Sequence, residues 1–163
     1  MFSDRQIEEI IELLSNLNSN TKVYLGCDSK VVIRDEKQIA KFATVCIIHK
    51  NGSNGCKVFA HHSEAPNYDA RQSRPKMRMM NEVMRVCELY IQLIPYIDQF
   101  DIEVHLDINT DPKHGSSCAA QEAAGYVLGM TGIRPKLKPH SWAASMGADK
   151  MIKGNRDVYE VAA

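Results

Sequence analysis

The feature that most constrains this chain is the order in which its hydrophobic period changes. Residues 22–28, 39–49 and 56–61 read as three β-runs joined by short polar links. In the first run Val23, Leu25 and Cys27 fall on one face, and Tyr24, Gly26 and Asp28 on the other. Parallel neighbours need a crossover of a dozen or more residues, so links this short predict an antiparallel meander.

The pattern then switches. After a polar, turn-rich stretch at 62–75, residues 77–94 are helical, with Met80, Val83, Cys87, Tyr90, Ile91 and Ile94 in one stripe. Residues 102–108 alternate, placing Ile102, Val104, Leu106 and Ile108 together. A loop at 109–116, a small-residue helix at 117–130, a short strand at 134–138 and a helix from the Ser141 cap to about residue 153 follow. Ahead of the strands, Ser3 and Gln6 form a capping box for an amphipathic helix over 4–16 carrying Ile7, Ile10, Ile11 and Leu14. This order predicts an α/β fold. Its mixed five-stranded sheet has three antiparallel strands, then two parallel crossovers, with helices on both faces. A length of 163 residues suits one domain spanning the chain.

Charge and cysteine usage narrow the function classes. Twenty basic residues balance twenty acidic ones, which argues against a protein held on nucleic acid or an anionic membrane by bulk charge. No apolar run approaches the roughly 20 residues of a membrane span. The acids Asp4, Glu8, Glu9 and Glu12 do not suit a leader peptide. Five widely spaced cysteines without a CxxC pair suit reduced thiols, and hence a cytoplasmic protein.

Four carboxylates in four elements are the candidate chemistry. Asp28 is expected to end the first strand and Asp107 the fourth. If those strands are parallel neighbours, both acids lie at the carboxyl edge of the sheet, where α/β proteins bind ligands. Close carboxylates repel, and a divalent cation lets both stay ionised. All-oxygen ligands favour Mg²⁺ or Mn²⁺. Glu82 falls at the boundary of the long helix's apolar stripe, and Asp149 lies in the last helix among small residues. Strand-end aspartates also serve as turn or cap residues.

The segments Gly26-Cys27-Asp28-Ser29-Lys30, Asn81-Glu82-Val83, Val104-His105-Leu106-Asp107-Ile108 and residues 136–145 resemble the ribonuclease H-like superfamily. More narrowly, they resemble its bacterial YkuK-type family, over about residues 20–155. The resemblance places Asp28, Glu82 and Asp107 at the superfamily's acidic positions, with Asp149 as the candidate for the fourth. It implies a metal-dependent nuclease acting on RNA, an RNA–DNA hybrid or structured DNA through two metal ions, with all four acids as catalytic ligands. The alternative is a non-catalytic module of the same fold that binds nucleic acid or a protein. A small-molecule phosphohydrolase is a third reading.

Basic residues flank the candidate helices. Residues 71–85 carry Arg71, Arg74, Lys76, Arg78 and Arg85, and residues 130–156 carry Arg134, Lys136, Lys138, Lys150, Lys153 and Arg156. Ser29, Lys30, Arg78, Lys138 and Lys150 are the candidate substrate-binding residues, because phosphates require such donors. His105 alternates onto the face of Asp107, which suits a core or supporting role. His114 and His140 are candidates for proton transfer.

Overall fold

In the computed structural model, residues 1–52, 54–154 and 158–161 are described, with the backbone alone at 145, 146, 159 and 161. Helix α1 (Asp4–Ser15) opens on the expected capping box: the Gln6 N–H donates to Ser3 Oγ at 3.3 Å, and the Ser3 N–H donates to Gln6 Oε1 at 3.2 Å. Strands β1 (Lys22–Arg34), β2 (Lys37–His49) and β3 (Cys56–Pro66) follow. Helix α2 (Lys76–Ile97) crosses over to β4 (Asp101–Asn109). Helix α3 (Ala120–Thr131), entered through a 3₁₀ turn (Gly115–Ala119), crosses to β5 (Lys136–Lys138). A π-helix (Ala143–Ala148) runs into α4 (Asp149–Gly154), and β6 (Val158–Val161) follows.

The sheet order is β5-β4-β1-β2-β3-β6. Pairs β1/β2 and β2/β3 are antiparallel, while β1/β4 and β4/β5 are parallel. The expected five-stranded mixed sheet is therefore present. It is extended by β6, which adds antiparallel to the β3 edge in a tail whose sequence carries no clear pattern.

Two expected boundaries move. Strand β1 does not end at Asp28 but continues to Arg34, and β3 runs on to Pro66 through residues expected in a loop. Hydrogen bonding across the meander explains both shifts. β1 and β2 pair without interruption from Lys22↔His49 to Arg34↔Lys37, around a two-residue turn. Asp35 and Glu36 at that turn have φ of 50° and 60°, the mirror-image geometry that matches strand twist. Because β4 pairs with β1 only as far as Cys27↔Leu106, the outer half of the meander projects as a three-stranded ribbon.

Each face of the sheet has its own core. Val23, Leu25, Cys27, Val104, Leu106 and Ile108 pack under α1, α2 and α3. Tyr24, Val45, Ile47 and Val58 pack under the π-helix and α4, through Ala143, Ala148, Met151 and Ile152. Helix α2 is rotated from its expected orientation. Its buried residues are Met79, Glu82, Val83, Val86, Cys87, Leu89, Leu93 and Ile97, while Ile91 is exposed. Apolar residues lie on much of its circumference, so periodicity alone leaves the inward direction open. Among the described residues, no helix is long and apolar enough to cross a membrane.

The π-helix lies very close to β1, and Gly26 permits it. A Cβ at this position would come within 2.9 Å of the Ala144 nitrogen, 3.1 Å of its Cα and 3.2 Å of the Ala143 carbonyl carbon. Those atoms are backbone and cannot rotate away. Alanine is ordinarily favoured over glycine within a strand by about 0.5–1 kcal/mol. Here overpacking should win, and Gly26→Ala should destabilise by about 1–3 kcal/mol in urea melts. A neutral or stabilising effect would contradict this packing.

Candidate active site

The parallel register builds the site. Pairing runs from Lys22↔Asp101 to Cys27↔Leu106, so the next residues, Asp28 and Asp107, follow side by side on adjacent strands. Neighbouring strands are about 4.8 Å apart. Both acids alternate onto the π-helix face, Asp28 with Tyr24 and Gly26, and Asp107 with His105. Neither ends its strand as the sequence reading expected: β1 and β4 continue past them, so backbone fixes each acid from both sides.

Burial and mutual repulsion act on this pair. Removal from water, and then the neighbouring Asp107 carboxylate, push the Asp28 carboxyl from 3.8 to about 6. The Ser29 N–H, donating to Asp28 Oδ1 at 2.8 Å, and the Arg78 charge pull the other way. Asp107 Oδ1 is fully buried and accepts no aligned hydrogen bond. Its compensation is the Lys138 ammonium at 2.9 Å, an ion pair without hydrogen-bond geometry. The structure thus places the candidate substrate residue Lys138 on an acid of the site.

Glu82 approaches from the opposite side. It is 2% exposed, well inside the α2 interface and not at its boundary. Ser29 points toward α2, donates to Glu82 Oε1 at 2.5 Å and accepts from Arg78 Nη1 at 2.6 Å. Arg78 also donates to the Ser29 carbonyl at 3.0 Å and lies 3.5 Å from Glu82 Oε1. Burial, followed by the Asp28 charge, raises the Glu82 carboxyl well above its ordinary range. Ser29 and Arg78, expected at the substrate, instead clasp Glu82. The sequence signal for this clasp is the four-residue spacing of Arg78 and Glu82 on one helix.

Asp149, the first residue of α4, is close enough to add to the charge felt by Asp28, and it pairs with Lys153 at 2.7 Å. Lys30 reaches the Ile152 carbonyl at 3.5 Å. Lys150 is exposed and lies near Cys56, at the far end of β3, whose thiol burial pushes up against the opposing charges of Lys50 and Lys150. The structure therefore brings Asp28, Asp107, Asp149 and, from behind, Glu82 into one electrostatic group, and leaves Lys150 apart. Among the described residues, no three His, Cys, Asp or Glu side chains are close enough to hold one ion. Asp28 and Asp107 are the pair suited to a divalent cation, since Mg²⁺ is often held by one or two carboxylates plus substrate phosphates.

His105 supports this arrangement from below. It is fully buried, and its Nδ1 accepts the Ala143 N–H at 3.1 Å. The ring proton therefore sits on Nε2, 3.0 Å from Glu103 Oε2. Burial lowers its pKa against the pull of Glu103, so the neutral ring is favoured. Tyr24 and Trp142 pack around it with ring centroids 5.4 and 5.7 Å away. One imidazole thus ties β4 to the first residue of the π-helix. His114 instead precedes the 3₁₀ turn before α3.

A carboxyl whose pKa is raised by folding favours the protonated form. The stability Asp28 contributes is complete below about pH 4 and is lost as pH rises through about 6. A shift of this size corresponds to about 3 kcal/mol. Asp28→Asn should therefore match the parent near pH 4 and exceed its stability by up to about 3 kcal/mol at pH 8, in denaturant melts without divalent ions. Equal stability at both pH values would show that Asp28 is not under this strain.

The comparisons with known proteins agree with the fold. The family model described as Ribonuclease H-like matches residues 5–153. Neither the curated proteins nor the solved structures provide a match. The matched span includes both crossovers and all four acids of the site, and the chain belongs to the ribonuclease H-like family.

Proposed function

We propose that this protein is a metal-dependent phosphodiester hydrolase acting on nucleic acid, of the YkuK-type branch of its family. The observation that carries the reading is the partly buried pair Asp28 and Asp107, brought together by the β1/β4 register. Repulsion within that pair, and the Lys138 ammonium drawn to the buried Asp107 Oδ1, fit a site that attracts a cation. The donors are carboxylate oxygens, which favours Mg²⁺ or Mn²⁺.

Asp28 and Asp107 would hold one ion, and Asp149, on the same face of the sheet, is the acid available for a second, with Glu82 buried across the sheet behind Asp28. Bound there, the metal would lower the pKa of a water and offset charge on the leaving oxygen. The chain's own part is orientation and charge. Ser29 and Arg78 hold the Glu82 carboxyl in one position behind Asp28. Lys138 balances Asp107 and, once released from it, becomes available to a substrate phosphate. Five free cysteines suit a cytoplasmic setting.

A specific observation favours a second reading, a non-catalytic nucleic-acid-binding module. Lys138 and Lys153 already neutralise Asp107 and Asp149, and no three-ligand cluster is formed among the described residues. Activity separates the two. With Mg²⁺ or Mn²⁺ the parent should cleave RNA, an RNA–DNA hybrid or structured DNA. Asp28→Asn and Asp107→Asn should each lose about 10²–10³-fold. Below about pH 6 the rate should fall, because protonation of Asp28 competes with the ion. Absence of metal binding and cleavage in the parent would favour the binding module.

A further inference from the structure

The three-stranded ribbon and α4 line a groove of about 530 Å³, reached from Asp28 through its cross-strand row with His62. We propose that this groove is the path by which one nucleic-acid strand, held through its phosphates, leaves the Asp28 and Asp107 centre. The proposal rests on the phosphodiester reading above and adds the route of the polymer.

Register sets the groove's floor. Asp28, Ala43 and His62 form one cross-strand row on the α4 face of the sheet. The next row outward is Lys30, Lys41 and Glu64. Rows on one face repeat every two residues, about 6.8 Å along the strands. That is close to the spacing of successive phosphates along an extended strand. Lys30, Lys41 and Lys153 line the groove together with His62, and Lys153 also touches Asp149, so the lysines begin where the acids end.

Charge in the groove has a direction. Glu64 is the one acid lining it among the described residues, and its carboxylate is occupied by Arg34 at 3.0 Å and Lys41 at 3.2 Å. Lys30 makes no ion pair among the described residues; its ammonium meets a backbone carbonyl. A lysine whose neighbour is a weak neutral acceptor gains more from a phosphate than one already paired with a carboxylate. The ribbon's length supplies the wall: β1 continues past Asp28 to Arg34, which carries Lys30 outward in pairing with β2.

Salt titration tests the route without relying on catalysis. A short single-stranded RNA bound by the parent in EDTA should give a linear fall of log affinity with log salt. In Lys30→Ala the slope should be shallower by about 0.7, the loss of one phosphate contact on a single strand. Lys30→Gln, which keeps more of the side-chain packing, should show the same change. An unchanged slope in both variants would overturn the proposal. Displacement of the RNA by millimolar inorganic phosphate at constant ionic strength would also overturn it, assigning the groove to a lone phosphate. Because no divalent ion is present, failed hydrolysis by the parent would leave the slope result standing. Intact hydrolysis with an unchanged slope would remove the route alone.

Discussion

The parallel hydrogen-bonded register between β1 and β4 is the constraint on which the site depends. It brings two aspartates from distant parts of the chain to adjacent positions on one face of a sheet. The last paired residues, Cys27 and Leu106, immediately precede the two acids, and the Asp107 charge acts on Asp28. Burial then turns proximity into energy. The Asp28 carboxyl is lifted to about 6 by lost hydration and by Asp107, a cost that a dedicated cation would relieve. The protein meets part of that cost itself, through Lys138 on Asp107 and Lys153 on Asp149.

A second constraint decides what covers the acids. The π-helix lies against β1 because Gly26 has no Cβ, and its first residue is tied to His105 on β4. One glycine and one neutral imidazole thereby fix the segment that delivers Asp149. On the other face, Glu82 sits inside the α2 interface, with Ser29 and Arg78 as its partners. Alternation along β1 explains the division: Asp28 faces the π-helix, and the next residue, Ser29, faces α2. Two neighbouring residues thus connect carboxylates on opposite sides of the sheet.

Much of this was legible in the sequence. The change from strand to helical period sets the order of elements, and the alternation of Val104, Leu106 and Ile108 assigns His105 and Asp107 to one face. The resemblance singles out four acids that the structure brings into one electrostatic group. Less legible was what depends on long-range pairing. Strand β1 extends through Lys30 to Arg34 because β2 supplies partners along its whole length, although its own residues there turn polar. Helix α2 carries apolar residues on several sides, so the burial of Glu82 required the sheet beneath it. Lys138, Ser29 and Arg78 read as substrate donors because cations and hydroxyls suit phosphates, yet each has an internal partner. The tail gave no period from which β6 could be foreseen; it is a strand because β3 offers an open edge.

The most direct test is a carboxyl-carbon NMR titration of Asp28. In the parent without divalent ions its pKa should lie at about 6. It should fall in Asp107→Asn, which removes the neighbouring charge, and fall again when Mg²⁺ is added to the parent. An ordinary aspartate value, indifferent to both Asp107 and Mg²⁺, would contradict the account of these two residues as a strained, cation-accepting pair.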